Sequence, residues 1–258
     1  MSSFSVVYWI AGGLLVAMFV MMEIGRRLGA LRRQRDPEGS RAGTGVVESA
    51  FFVLLGLLIA FTFSGAASRF DDRRQLVIEE TNDIGTAWLR IDLLPAQSQE
   101  PMRQLFRDYL DSRLKTYRDV QEGQMPHAEL QRTRQLQDAI WKLGVTAMQE
   151  QGSPAATTLF LGALNTMIDI TTTRSAATTL HPPRIVFFLL IVLVLAGSLL
   201  AGDGMAEGSK RSWLHVIGFA LLMSFTVYVI FDIEYPRLGF IRVDAIDQLL
   251  VELRRSMG

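Results

Sequence analysis

From Ser49 to Ser68 the chain carries no charged residue, which is long enough to cross a bilayer as a single helix. Nothing breaks that helix at Arg69. The sequence runs on through Asp71-Asp72-Arg73-Arg74, with apolar Val77, Ile84, Trp88 and Ile91 recurring at helical spacing, and stops only at Pro95. The spacing predicts one long rod, half in lipid and half in water.

Two rows run along the lipid half. Gly56, Ala60, Ser64 and Ser68 recur every fourth residue and form a ridge of small side chains. Membrane helices use such ridges to approach one another, because packing rather than hydrophobicity drives their association in lipid. The adjacent row, Leu55, Ile59 and Phe63, is bulky and apolar. A small ridge beside a bulky one suits a helix that packs sideways on copies of itself and turns the bulky row toward a common axis. The plainer alternative is an ordinary span whose Leu and Phe face lipid.

Three further blocks are long, apolar and nearly uncharged: Phe4–Met22, Ile185–Ala201 and Trp213–Phe231. With Val46–Ser68 they make four expected spans, and at 49% apolar residues the chain is too blockwise for one soluble domain. The first block lacks a basic leader and a small-residue cleavage site, and reads as a retained anchor. The expected domains are residues 1–68 with a basic connector at 26–45, a soluble helical bundle at 69–183, spans at 184–231, and a C-terminal amphipathic helix within 232–258. Arg26, Arg27, Arg32, Arg33 and Arg35 in the connector favour the cytoplasmic side for it, which puts the bundle outside. There is no cysteine, so thiolate metal sites and disulfides are excluded. No basic patch interleaved with aromatics suggests nucleic acid.

The polar region reads as helices throughout. Ser98 is the expected cap of a helix marked by Met102, Phe106, Tyr109 and Tyr117. After Gly123 and Pro126 comes a stripe of Leu136, Ile140, Leu143 and Ala147. Gly152-Ser153-Pro154 gives a stop, an N-cap and a first-turn proline, opening a helix that ends before Pro182-Pro183. The terminal helix carries Ile246, Leu249, Leu253 and Met257 on one face, to pack on the bundle or lie at a membrane surface.

Catalytic signals are lacking. His127, His181 and His215 lie in different segments without metal-ligand spacing, and no phosphate loop or nucleophile elbow occurs, so neither enzyme activity, metal nor cofactor is expected. Two polar features resist a bland reading. Glu80 falls on the rod's apolar stripe with Asn82 and Asp83 beside it, and Asn165, Asp169 and Thr172 share a face with Arg174 just beyond. Carboxylates aimed into a bundle must be paired or protonated. These residues form either a polar network that fixes helix register, with Glu80 or Asp83 on Arg174, or the lining of an aqueous vestibule.

The run Phe51-Phe-Val-Leu-Leu-Gly-Leu-Leu-Ile-Ala-Phe-Thr-Phe-Ser-Gly-Ala-Ala-Ser-Arg-Phe-Asp-Asp-Arg-Arg, with Glu79-Glu-Thr-Asn82, Ala163-Leu-Asn165, His181-Pro-Pro-Arg184 and Asp232-Ile-Glu-Tyr-Pro236, resembles bestrophin-like proteins of bacterial membranes. Bestrophins are pentameric anion channels whose second helix lines the pore and sets three apolar rings at a neck. The resemblance implies a multi-pass protein of the bacterial inner membrane, a homo-oligomer, a pentamer, with membrane lipid and a permeating ion, chloride, as partners. It also implies a neck of Leu55, Ile59 and Phe63. It places the bundle in the cytoplasm, against the charge rule. Phe70-Asp71-Asp72-Arg73-Arg74 departs from the aromatic cluster that follows the bestrophin neck. The expected function is a gated ion channel; a non-conducting scaffold or sensor, whose bundle binds a protein or small ligand, is the alternative.

Overall fold

The computed structural model describes residues 4–35, 44–122, 124–207, 212–235 and 244–258, and among these every element is helical. Residues 36–43, Gly123, 208–211 and 236–243, which include part of the expected connector, lie outside the described residues, as does the side chain of Ile246. Among the described residues, four helices are long and apolar enough to cross a membrane. The chain divides into two units, Met1–Arg69 with His181–Phe240, and Phe70–Leu180 with Ile241–Gly258. One unbroken helix, α2 (Thr44–Leu89), contributes to both. Its 46 residues rise about 69 Å at 1.5 Å each.

In the first unit, α1 (Phe4–Arg35) and α6 (Arg184–Gly204) are pressed backbone to backbone. A Cβ on Gly25 would lie 1.9 Å from the Leu199 carbonyl oxygen, and one on Gly202 would lie 2.1 Å from that of Met22, so only glycine fits at either place. The basic residues expected in a connector continue α1 as far as Arg35. They are held there: Arg32 meets Asp203 at 2.7 Å, Arg33 donates to the Asp203 carbonyl, and Glu23 holds Arg26 and Arg27. Helix α7 (Trp213–Glu234) closes on α1 through Ser224 Oγ, which donates to the Ala11 carbonyl at 2.9 Å, and through the stacked rings of Tyr8 and Tyr228.

In the second unit the last part of α2 and a 3₁₀ turn (Arg90–Leu93) pack with α3 (Ala96–Gln121), α4 (His127–Gln151), α5 (Pro154–Thr179) and α8 (Asp244–Ser256). Ile84, Met102, Phe106, Tyr109, Ile140, Phe160, Leu164 and Leu250 are wholly buried in one core. Each such side chain stabilises the fold by roughly 1.5–3 kcal/mol. Ser153 caps α5 from the Ala156 amide at 3.2 Å, with Pro154 in the first turn. Ser98 does not cap α3; Pro95 occupies that place, and Ser98 already lies inside the helix, its amide bonded to the Pro95 carbonyl. The terminal helix α8 is a bundle member. Arg254 pairs with Asp111 at 2.8 Å, Arg107 donates to the Met257 carbonyl, and Leu250 and Met257 enter the core.

Candidate functional site

The apolar half of α2 is nearly bare within its own chain. Only 6% of its most apolar window is buried, against 39% for α7. Its few internal attachments are Leu55, which fills the notch at Gly197; Phe52, edge-on to the Phe219 ring; and buried Ala66. A Cβ at Gly197 would sit 3.2 Å from Leu55 Cδ2.

This fixes which rows of α2 point outward. Of the bulky row expected at a neck, Leu55 is 1% exposed and turned into the chain, Ile59 is half-buried, and Phe63 is 43% exposed on the flank. The three do not share an outward face. The small ridge does: Gly56, Ala60, Ser64 and Ser68 are all exposed, and a Cβ on Gly56 would meet nothing within 4 Å. The bulky row on that same outward face is Val53, Leu57 and Phe61, at 69%, 48% and 68% exposure. Residues two apart on a helix differ by about 200°, so a row shifted by two is the opposite side of the rod. Leu and Phe recur so densely here that the sequence presents several candidate rows, and only the Gly197 notch distinguishes them.

At the end of the apolar stretch Arg69 forms a forked pair with Glu234, the last residue of α7, at 2.7 and 3.0 Å. Glu234 is wholly buried, and its other oxygen takes a bond from His181 Nδ1 at 2.8 Å, with the imidazole lying on the Tyr235 ring. Gly65, one turn before Arg69, leaves the guanidinium its room. Removing Arg69 alone would take a charged hydrogen bond from a buried carboxylate, a cost of about 1.5–3 kcal/mol.

The bundle holds a second buried carboxylate. Glu80 accepts from Arg113 Nε at 2.7 Å, from the Tyr117 hydroxyl at 2.8 Å and from Arg174 Nη1, while Arg113 also donates to Tyr117. Arg174 lies over the Tyr117 ring at 4.3 Å and reaches Asp247 of α8 at 4.0 Å. Burial alone would raise the Glu80 pKa, but the two guanidiniums and the hydroxyl outweigh it and hold the carboxyl below its ordinary value. Glu80 and Arg174 thus meet in one buried polar network. Asn82, Asp83, Asn165 and Asp169 are not in it. Asn82, Asn165 and Asp169 are exposed, with Asn165 donating to Asp169 at 2.9 Å, and Asp83 lies half-buried beside Glu79. Asp83 and Asp169 line a shallow open cleft with Glu79, Thr166 and Thr173.

A model of the Bestrophin-like domain matches residues 11–246, all but the two ends of the chain. The chain belongs to the bestrophin-like family. Its fold is that of a bacterial Bestrophin homolog from Klebsiella pneumoniae, in one single-residue variant at TM-score 0.74, 13% identity and coverage of 98% of this chain and 97% of that one. A second variant of that homolog gives 0.70 at 13% identity, covering 94% and 97%. A further solved structure, named only as a membrane protein, gives 0.67 at 16%, covering 94% and 95%. At such identity the likeness carries the fold alone. No curated protein matches this bestrophin-like chain by sequence.

Three features of the bestrophin-like chain were not picked out from the residues. The Gly25–Gly29 pair on α1 is a four-residue glycine spacing, and that signal was available. Arg113 and Tyr117 complete the Glu80 cluster, and Arg113 stands four before Tyr117 on the stripe that marks α3. The Arg69–Glu234–His181 cluster joins residues of three distant segments, and no spacing announces it. Among the described residues no group of His, Cys, Asp or Glu is arranged to hold a metal ion.

Proposed function

We propose that this chain self-associates around α2 and that the assembly is an ion channel. The observation that carries the reading is the bareness of α2: its apolar window is 6% buried in its own chain, yet it bears a small-residue ridge and a bulky apolar row on one outward face. The small ridge (Gly56, Ala60, Ser64, Ser68) brings neighbouring copies of α2 close. The bulky row beside it, Val53, Leu57 and Phe61, takes the neck role that the bestrophin resemblance gives to Leu55, Ile59 and Phe63. Stacked one turn apart, about 6 Å each, such rings strip hydration from an ion and replace it with nothing, so the constriction closes by dewetting. Family membership supports conduction. A pentamer, the bacterial inner membrane and chloride as the ion are carried forward from the same resemblance.

The test is ion flux through purified protein in liposomes. The Leu57→Ala/Phe61→Ala variant is expected to raise flux several-fold by widening and wetting the neck. Leu222→Ala, exposed on α7, controls for leakiness and should leave flux unchanged. Flux absent from wild type and from the double variant, with the oligomer intact, would overturn the channel reading and favour a non-conducting scaffold. Reversal potentials in a KCl gradient read the ion. Gln124→Cys labelled in intact spheroplasts reads the side of the bundle; the charge rule expects labelling from outside.

A further inference from the structure

The outward face of α1 carries an apolar stripe that ends in guanidiniums. The inward face is Leu14, Met18, Met22, Gly25 and Gly29, all buried. Opposite it, Val16, Val20, Ile24, Arg27, Leu31 and Arg35 are exposed and fall within about 100° of the helix circumference. Of the five arginines at this end of α1, three are engaged inside the chain: Arg26 forks onto Glu23, and Arg32 and Arg33 reach Asp203. Arg27 is committed less. It gives Nε to Glu23 at 2.8 Å, and its side chain is 74% exposed, so its terminal nitrogens stay accessible. Arg35 is exposed about two turns further on. A cation at a helix C-terminus is favoured by the helix dipole alone, but that does not put an exposed aliphatic stripe in line with it.

We infer that this face of α1 seats an anionic phospholipid, with an acyl chain along Val16, Val20 and Ile24 and the phosphate on Arg27. The side chains of Phe19, Val20, Glu23, Ile24 and Arg27 frame a shallow open groove. Its walls are apolar at Phe19 and Val20 and cationic at Arg27, about 10 Å beyond Val20 along the axis. A phospholipid has the same order, hydrocarbon and then phosphate. The planar fork of an arginine binds two phosphate oxygens at once. Leu31, on the same face between Arg27 and Arg35, suits the boundary zone, where arginine stems lie on hydrocarbon and their heads reach the phosphates. Charge decides the kind of lipid. The five arginines outnumber Glu23, Asp203 and Glu207, the acids at this end of α1 and α6, by two. A zwitterionic headgroup brings its own cation to the phosphate, whereas phosphatidylglycerol leaves that charge for the protein to meet. A second copy docking through α2 would not serve, because α2 is uncharged from Ser49 to Ser68 and offers Arg27 no carboxylate there. The site does not depend on whether the assembly conducts.

Full-length protein in detergent, exchanged into equimolar phosphatidylglycerol and phosphatidylcholine with matched chains, reports the preference as the ratio of the two lipids bound, read by native mass spectrometry. Wild type is expected to retain phosphatidylglycerol severalfold over phosphatidylcholine. Arg27→Gln, which leaves Glu23 paired with Arg26, should cut that ratio about fivefold, the factor that one basic side chain contributes near an anionic surface. Arg27→Gln/Arg35→Gln should cut it further. Val20→Ala/Ile24→Ala trims the stripe and should lower retention of both lipids without changing their ratio. Arg134→Gln, an exposed arginine of the bundle, should change neither. Equal retention of both lipids by wild type, or a ratio that survives the double arginine substitution, overturns the inference. So does an Arg27→Gln variant that loses oligomer mass by light scattering while keeping its lipid ratio, since a second copy would then cover this face.

Discussion

The bundle and the membrane half of α2 answer opposite problems with the same helix. In the bundle, α2 is surrounded: Val77, Glu80, Ile84 and Ala87 are buried, and the one carboxylate on that stripe is met by two guanidiniums and a phenol. In the membrane half the helix presents rows of side chains to nothing in its own chain. A charge inside a protein must find its partners in the same fold or cost several kcal/mol, whereas an apolar or small side chain in lipid can wait for a second copy at little cost. The polar part therefore completes itself, and the apolar part leaves room for assembly.

The largest effect should come from breaking the self-contained half. Arg113→Met strips Glu80 of one of its two guanidiniums in a wholly buried site and is expected to destabilise the bundle by about 3–5 kcal/mol, read as a shift in denaturant or thermal unfolding followed by circular dichroism. A variant that unfolds at the wild-type midpoint would mean the cluster is solvated. Acid makes the same point without mutation. The Glu80 pKa is depressed in the fold, so its stabilisation is complete above the unfolded glutamate value near 4.3 and is lost as pH falls through the lower folded value. The wild-type bundle should hold at pH 5 and loosen below about pH 4, and the Arg113→Met difference should shrink over the same window.

Next in size is the packed part of the membrane unit. Gly25→Leu places atoms where the Leu199 carbonyl already lies, and Gly202→Leu does the same to Met22. Either should force α1 and α6 apart at roughly 1–3 kcal/mol or more, measured as lost thermal stability in detergent. Ala60→Leu, on the bare ridge of α2, should leave the monomer's stability unchanged while weakening the oligomer by light scattering. The pair of results separates close approach inside a chain from close approach between chains.

How much of this was legible follows the same division. The spans, the helix running past Arg69, the stripe Met102-Phe106-Tyr109-Tyr117 and the Ser153-Pro154 helix start all follow from periodicity and capping, which act over a few residues. Glu80 stood out because a charge on an apolar stripe demands partners, and Arg174 was nameable for that reason. Which face of α2 points outward was not legible. Leu55 and Leu57 are chemically alike, and the choice between them lies in Gly197, about 140 residues away in sequence. Asn165 and Asp169 were grouped with the network because they share a helix with Arg174. They turn to solvent because that helix buries Ala163, Leu164 and Met167 instead.

The smallest effect sharpens the comparison from the bundle's outer surface. Asp83 stands on α2 three residues after Glu80, half-buried in an open cleft with Glu79 and Asp169. Partial burial raises its pKa first, and the charges of Glu79 and Glu80 add to the shift. An acid whose folded pKa is raised disfavours its own charged form, so at neutral pH this carboxylate weakens the fold slightly, and the penalty is relieved as pH falls through the raised value. Asp83→Asn removes the charge and keeps the shape. It should stabilise the bundle by up to about 0.5 kcal/mol at pH 7, with solvent screening keeping the gain small, and the gain should fade toward pH 4. Unfolding midpoints of wild type and variant at the two pH values check both sign and trend. A clear loss of stability at pH 7 would mean that Asp83 has a partner of opposite charge, and that the outer face of α2 in the bundle also awaits a second copy.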